Sequence, residues 1–210
     1  MFRKSWVLLF AAVFAAGPAS AEIHRFKPTK GWQTYAVREP ALTVNPGDRI
    51  ESNTLFSDFY TEKDGLFPGE VGPIFIKGAA PGDTLVIKIL KIRPNVPTGR
   101  SGTSPAYGVL TATEATPMLH EPVPARKYIW KIDAGRMVAT LELPKSRMKE
   151  IRVNLQPMLG RLATAPRGDQ AISSGVPSDF GGNMDTTEAR EGATIYLPDP
   201  PRRARQMARD

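Results

Sequence analysis

Nine consecutive residues, which run Thr84-Leu85-Val86-Ile87-Lys88-Ile89-Leu90-Lys91-Ile92, carry the clearest secondary-structure signal of the 210-residue chain. Alternate apolar side chains would share one face of a β-strand, because successive residues of a strand point to opposite sides. That face holds Leu85, Ile87 and Ile89. Val86, Leu90 and Ile92 make the opposite face largely apolar too. The pattern predicts a strand that is buried on both faces.

Similar short apolar runs recur along the chain, and turn residues separate them. The 20 prolines and 18 glycines are spread over the whole length, and after residue 21 no segment keeps an apolar 3.6-residue period over four turns. Further strands are therefore predicted at 41–44, 50–55, 74–76, 128–132, 137–143, 151–155, 159–163 and 194–197. Asp133-Ala134-Gly135-Arg136 would be the loop of a β-hairpin, and residues 99–105 a mobile loop. The fold class predicted is mainly β, a β-sandwich or a barrel-like fold.

One turn sequence occurs twice, 35 residues apart. Pro46-Gly47-Asp48 and Pro81-Gly82-Asp83 each precede a predicted strand. Two copies do not establish a repeat architecture, which needs at least three units. We interpret them as the same common turn used twice.

The first 21 residues have the pattern of a secretory signal peptide. Arg3 and Lys4 are followed by the apolar segment Trp6–Ala16, and Ala19-Ser20-Ala21 supplies small residues for cleavage. Cleavage after Ala21 would leave a chain of 210 − 21 = 189 residues that begins at Glu22. The apolar segment is too short to span a bilayer. We therefore expect an exported protein, periplasmic or secreted, with no stable membrane span after cleavage.

Charge and cysteine content narrow the classes of partner. The net charge is +7, of which residues 1–21 contribute +2 and residues 201–210 contribute +3, so that +2 remains for residues 22–200. A nearly balanced body without a basic, aromatic-rich run does not favour nucleic acid as a partner. The chain has no cysteine, which excludes disulfides, cysteine nucleophiles and cysteine-ligated zinc.

The segment Gly181-Gly182-Asn183-Met184-Asp185 is the strongest candidate for chemistry. Two adjacent glycines let the backbone approach a ligand or adopt a positive φ. In a strand, Asn183 and Asp185 would face the same side, where an amide and a carboxylate could hold a metal ion or an attacking water. The alternative is an ordinary glycine-rich turn with a capping aspartate.

An ordered set of motifs between about His24 and Pro198 resembles the acetamidase/formamidase family. The set includes Leu42-Thr43-Val44-Asn45-Pro46-Gly47-Asp48, Gly72-Pro73-Ile74-Phe75-Ile76, Pro157-Met158-Leu159-Gly160, Ala171-Ile172-Ser173, Gly181-Gly182-Asn183-Met184-Asp185 and Glu191-Gly192-Ala193-Thr194-Ile195-Tyr196-Leu197-Pro198. Arg93-Pro94-Asn95 is similar to the exported branch of the family. The resemblance implies a mainly β fold and hydrolysis of short linear amides, with release of ammonia.

The same resemblance suggests which residues would carry the reaction. Asp185, Asn183 and His24 are the expected catalytic residues, and Gly181 and Gly182 are expected to shape the substrate site. A divalent metal, zinc or calcium, is compatible with the resemblance, and Asp185 and His24 are its candidate ligands. A homo-oligomer is also possible.

The chain departs from the family pattern at three places, one of which is Thr54-Leu55-Phe56-Ser57, where the family often has Thr-x-Asp-Ala. Pro198 is followed by Asp199-Pro200-Pro201-Arg202, where family members continue into Pro-Gly-Ala-Leu and Gly-Asp-Gly-His. We therefore expect a domain over residues 22–198, incomplete at its C-terminal end, and a disordered basic tail over 199–210. The sequence Pro68-Gly69-Glu70-Val71 stands where the family has Asn-Pro-x-Thr. A catalytically inactive truncated relative and a periplasmic small-ligand-binding β-domain remain the alternatives to an amide hydrolase.

Overall fold

A computed structural model describes residues 21–55, 67–103, 124–168 and 170–199. Every regular element in these ranges is a β-strand, which confirms the mainly β prediction. The strands are β1 (Ile23–Phe26), β2 (Thr34–Tyr35), β3 (Leu42–Val44), β4 (Arg49–Ser52), β5 (Ile74–Ile76), β6 (Thr84–Lys88), β7 (Thr98–Thr103), β8 (Arg126–Asp133), β9 (Val138–Leu143), β10 (Lys149–Asn154), β11 (Arg161–Ala163), β12 (Ile172–Ser173), β13 (Pro177–Ser178), β14 (Gly181–Asn183) and β15 (Thr194–Pro198).

The strand that starts at Thr84 pairs with the last described strand of the chain. β6 and β15 run antiparallel with Leu85 opposite Leu197 and Val86 opposite Tyr196. Ile89 and Leu197 are buried, at 6% and 4% exposure. Val86 is 55% exposed, however, so the predicted burial on both faces is wrong. Tyr196, which lies opposite Val86, is 66% exposed, so this face of the two-stranded pair is open, and an apolar pattern alone does not create a covering layer.

The largest sheet has four strands in the order β10-β9-β8-β7. The predicted hairpin joins β8 to β9, with Asp133 opposite Val138. The predicted mobile loop is wrong for residues 99–103, because β7 pairs with β8 over six residues. Residues 104 and 105 of the predicted loop lie outside the described ranges. The glycines of β7 serve close packing: a Cβ on Gly102 would lie 2.6 Å from the carbonyl oxygen of Arg126.

The remaining small sheets pair strands mostly within one half of the chain, and the β2–β12 pair joins the two halves. β1 pairs with β4 and β3 with β5, both in parallel. β2 pairs with β12, and β14 lies between β11 and β13. Phe180, which precedes β14, is 1% exposed and is the most buried large side chain of the described residues. None of these sheets closes into a barrel in the described part of the chain.

The predicted boundaries at the two termini are described only in part. Residues 1–20 of the predicted signal peptide and residues 200–210 of the predicted tail lie outside the described ranges. Asp199 is described, and its backbone amide donates to the carbonyl oxygen of Asp83 at 2.8 Å. Among the described residues no helix has the length and apolarity to cross a bilayer.

Candidate active site

Four polar side chains from distant parts of the sequence meet near Phe180. They are Tyr35 on β2, Glu70, Arg161 on β11 and Asn183 on β14, and we call them the Arg161 cluster. Arg161 joins two of the others, because its Nη1 lies 3.1 Å from Oε1 of Glu70 and its Nε donates to Oδ1 of Asn183 at 2.7 Å. The cluster therefore combines a carboxylate, a guanidinium, an amide and a phenol.

Strand register holds the Arg161–Asn183 pair. The two residues face each other across antiparallel β11 and β14. The Nδ2 of Asn183 donates to the carbonyl oxygen of Gly175 at 3.2 Å, which fixes the orientation of the amide with its oxygen towards Arg161. The side-chain oxygen of Asn183 therefore already accepts a hydrogen bond, and the pairing of β11 with β14 sets its position.

Glu70 is held in place through its backbone. Its N–H donates to the carbonyl oxygen of Trp32 at 2.8 Å, and the N–H of Trp32 donates to its carbonyl oxygen at 2.9 Å. Two glycines allow this approach: a Cβ on Gly31 would lie 2.0 Å from the carbonyl oxygen of Pro68, and Gly69 has a φ of 87°. The Glu70 side chain is 23% exposed and that of Arg161 is 28% exposed. The ion pair is therefore partly buried.

Burial changes the acid–base properties of Glu70. Desolvation raises the pKa of this carboxyl above its ordinary value, and the hydrogen bond and charge of Arg161 only partly oppose that increase. A carboxylate of raised pKa is a stronger base, and a residue of this kind in a site is a candidate for proton transfer. Glu70 is the group in the cluster that could accept a proton.

Tyr35 supplies a hydroxyl without a hydrogen-bond partner. Its Oη is buried and makes no hydrogen bond to any of the described residues. Burial, reinforced by the charge of Glu70, raises the pKa of Tyr35 to about 12. The ring packs against Phe180 with centroids 5.6 Å apart. An unpaired buried hydroxyl costs stability, and a ligand that reached it could accept its hydrogen bond.

Glycine is required at positions 181 and 182 by the backbone conformation and by close packing. Their φ values are 90° and 104°. A Cβ on either would lie 2.4 Å from a neighbouring carbonyl oxygen, that of Leu162 or of Val176. Contact with the adjacent strands therefore explains both glycines. Their expected role in shaping a substrate site stays a prediction.

Asp185 does not share a strand face with Asn183. β14 ends at Asn183, and Asp185 has a left-handed φ of 47° and an exposed side chain. Its N–H donates to the carbonyl oxygen of Gly160 at 2.8 Å. The expected extended geometry is wrong because the chain turns immediately after β14.

His24 lies in another sheet. It is on β1, and its Nε2 is 2.9 Å from Oδ2 of Asp48. In the described ranges no polar contact joins His24 to Asn183 or Asp185, and no group of three His, Asp or Glu side chains is arranged to hold a metal ion. These two candidate ligands do not form one site, so the metal stays a prediction and the mechanism below does not use it. The other histidine of the chain, His120, lies outside the described residues.

Sequence reasoning missed Tyr35, Glu70 and Arg161 as members of a site. One signal was present, because Glu70 stands within Pro68-Gly69-Glu70-Val71, where the sequence departs from the family pattern. That departure introduces a carboxylate 91 residues away from the arginine with which it pairs.

A surface cleft of about 310 Å³ lies elsewhere. Its lining includes Arg93 and Glu191, which form an ion pair, and Arg190. No member of the Arg161 cluster lines it. The cleft and the cluster are separate features.

Three solved structures share this fold. An enzyme from Thermoanaerobacter tengcongensis, described as a predicted acetamidase/formamidase, is 28% identical with a TM-score of 0.67, over 87% of this chain and 58% of that one. Acetamidase from Yersinia enterocolitica is 26% identical with a TM-score of 0.70, over 88% and 58%. Acetamidase from Bacillus halodurans has 23% identity and a TM-score of 0.61, over 85% and 58%, and supports the fold alone.

The chain thus spans somewhat less than three fifths of the length of these structures. Searches with the sequence gave no match to a family model and none to a curated protein. The structural matches confirm the resemblance that the ordered motifs indicated, both for the fold and for the family.

Proposed function

We propose that the chain, which is similar in fold to acetamidase/formamidase structures at 26–28% sequence identity, hydrolyses the carbon–nitrogen bond of short linear amides at the Arg161 cluster. Amide hydrolase activity is what the structural similarity suggests. The observation that carries the location is the carboxyl of Glu70. Its pKa is raised by burial, Arg161 fixes it, and the Tyr35 hydroxyl of the same cluster has no hydrogen-bond partner among the described residues.

The proposed reaction adds one water molecule to one amide. Glu70 takes a proton from the water while the water oxygen forms a bond to the carbonyl carbon. The carbon–nitrogen bond then breaks, and the nitrogen leaves as ammonia with the proton that Glu70 returns. The products are a carboxylate and, at neutral pH, ammonium.

Two neighbouring groups would stabilise the charge that develops on the carbonyl oxygen. The Tyr35 hydroxyl has no hydrogen-bond partner among the described residues and can donate to that oxygen, while the positive charge of Arg161 lies in the same cluster. Asn183 keeps Arg161 in place through the 2.7 Å hydrogen bond. Asn183 thus acts here as a positioning residue, and Asp185 and His24 lie outside the cluster.

Ammonia release from formamide and acetamide tests the proposal. Glu70→Gln keeps the size of the side chain but removes the base, so we expect the rate to fall about 10²–10⁴-fold while the protein stays folded. Asp185→Ala is the matched variant outside the cluster and should keep the rate within about twofold. Each protein is assayed with and without a chelator, which tests the expected metal in the same experiment.

Three outcomes would count against the proposal. Equal rates for the wild type and Glu70→Gln would exclude Glu70 as the base. A loss of ammonia release in Asp185→Ala, together with a rate that falls when the chelator is added, would indicate that the residues suggested by the resemblance carry the reaction instead. Binding of acetamide without any release of ammonia would favour the small-ligand-binding alternative.

A further inference from the structure

We propose that Asp48 is the binding site for the α-ammonium group of Glu22, which removal of the leader after Ala21 would create. This proposal does not depend on the amide hydrolase activity. It concerns the turn Asn45–Asp48 and the start of β1, and it makes the mature N-terminus a structural part of the fold.

The Asp48 carboxylate already receives the nitrogen of Glu22. Its Oδ1 accepts a hydrogen bond from the Glu22 backbone N at 3.0 Å. Its Oδ2 accepts from the Asn45 N–H at 2.8 Å, from the Asn45 Nδ2 at 3.2 Å and from His24 Nε2 at 2.9 Å. The Asp48 side chain is 4% exposed, although it belongs to a surface turn. The carboxylate is therefore enclosed by donors.

The remainder of Glu22 is fixed by strand pairing. Its carbonyl oxygen accepts from the N–H of Arg49 at 2.8 Å. The next residue, Ile23, starts the parallel pairing of β1 with β4 opposite Arg49. Glu22 is therefore held on both its nitrogen and its carbonyl side, directly after the predicted cleavage position.

Cleavage changes the chemistry of that nitrogen. A leader peptidase adds water across the Ala21–Glu22 peptide bond, which leaves a carboxylate on Ala21 and an amine on Glu22. The amine takes up a proton at neutral pH, because a free α-amino group has a pKa of about 7.7–8.0. A neutral amide with one hydrogen then becomes a cation with three, and a hydrogen bond to a carboxylate strengthens when its donor is charged.

The second Pro-Gly-Asp turn provides a matched control within the same chain. Asp83 Oδ2 accepts from the Ala80 N–H at 2.8 Å, just as Asp48 accepts from the Asn45 N–H. Gly47 and Gly82 have similar φ values of 89° and 99°. The long-range partners differ, since Asp48 receives Glu22 and His24, whereas the second turn receives the backbone of Asp199. The difference between Asp48→Asn and Asp83→Asn therefore isolates the contribution of the first turn's own partners.

The test uses the full 210-residue chain, expressed in an exporting bacterial host. Intact mass and N-terminal sequencing of the exported protein should show that it begins at Glu22. A Ser-Gln insertion between Ala21 and Glu22 keeps the cleavage site but converts the Glu22 nitrogen back into an amide. We expect the insertion to lower Tm by about 2–4 °C in the wild type and in Asp83→Asn, and to have almost no effect in Asp48→Asn.

Aminopeptidase trimming, monitored by mass spectrometry, provides a second readout for variants that do not give a clear thermal unfolding transition. Removal of Glu22 should be about tenfold faster in Asp48→Asn than in Asp83→Asn, because the amine is then released from its partner more often. An exported protein that starts at another residue would overturn the proposal. So would an insertion effect of equal size in the wild type and Asp48→Asn, or equal trimming rates in the two aspartate variants.

Discussion

Asp48 and Glu70 are two acidic residues that the fold treats in opposite ways. Hydrogen bonds from Asn45, Glu22 and His24 hold the pKa of Asp48 far below its ordinary value. Glu70 has Arg161 as its charged partner, and burial raises the pKa of its carboxyl. The direction of each pKa shift depends on how many hydrogen-bond donors reach the carboxylate and on how strongly the carboxylate is desolvated.

The contrast distinguishes a structural carboxylate from a reactive one. A carboxylate with several donors and a depressed pKa is a weak base, so Asp48 is suited to hold a turn and a chain end together. A carboxylate with a raised pKa accepts a proton more readily, so Glu70 is suited to activate water. The predictions below test whether the two residues can be separated in this way.

Removal of Arg161 should have the largest effect on the contrast. Arg161→Met leaves the partly buried Glu70 without its counter-ion, so we expect the free energy of unfolding to fall by about 1–3 kcal/mol and ammonia release to be lost. The matched control is Arg93→Met, which breaks the ion pair with Glu191 at a much more exposed site. Thermal melts of both variants measure the difference, and equal losses of Tm would contradict the account.

The pH dependence of stability should have opposite signs for the two carboxyls. Because the pKa of Asp48 is depressed in the folded state, its contribution is present above the ordinary value of 3.8 and is lost as the pH falls towards the folded value. The raised pKa of Glu70 favours the folded state at low pH, and that contribution is lost as the pH rises through the folded value above 4.5.

Melts of Asp48→Asn and Glu70→Gln between acidic and neutral pH check these signs. Asp48→Asn should be less stable than the wild type at neutral pH, and the gap should close as the pH falls. Glu70→Gln should gain relative to the wild type as the pH rises. Parallel curves for the two variants would mean that the two environments do not differ as described.

Tyr35→Phe should have the smallest effect on stability, and it should be favourable. The variant removes a buried hydroxyl that has no partner among the described residues, so the free energy of unfolding should rise by up to about 1 kcal/mol. If the hydroxyl stabilises the carbonyl oxygen of the substrate, kcat should fall about tenfold in the same variant. A stable variant with unchanged kcat would remove Tyr35 from the mechanism.

Local patterns in the sequence predicted where strands form better than they predicted what packs against each strand. Alternating apolar residues between proline and glycine turns located β5, β6, β9 and β15, because strand formation there follows the local pattern. The open face of β6 was not predictable, since it depends on which element lies above Val86. β7 was not predicted because its glycines and polar residues are typical of a loop. Its strand conformation comes from pairing with β8.

The candidate site was predictable at only one of its residues. Asn183 was identified because the Gly-Gly-Asn motif is local. Glu70 and Arg161 are 91 residues apart, and a single sequence contains no record of that contact. Burial, which raises the pKa of Glu70, is likewise a property of the assembled strands.

The pH dependence of kcat/KM for formamide tests the central claim, that Glu70 is the base, most directly. If Glu70 must be ionised to accept a proton, kcat/KM will fall on the acid side through a pKa that lies above the ordinary glutamate value of 4.5. The residual rate of Glu70→Gln should lack that limb. An acid limb at or below the ordinary value, or one that persists in Glu70→Gln, would contradict the account.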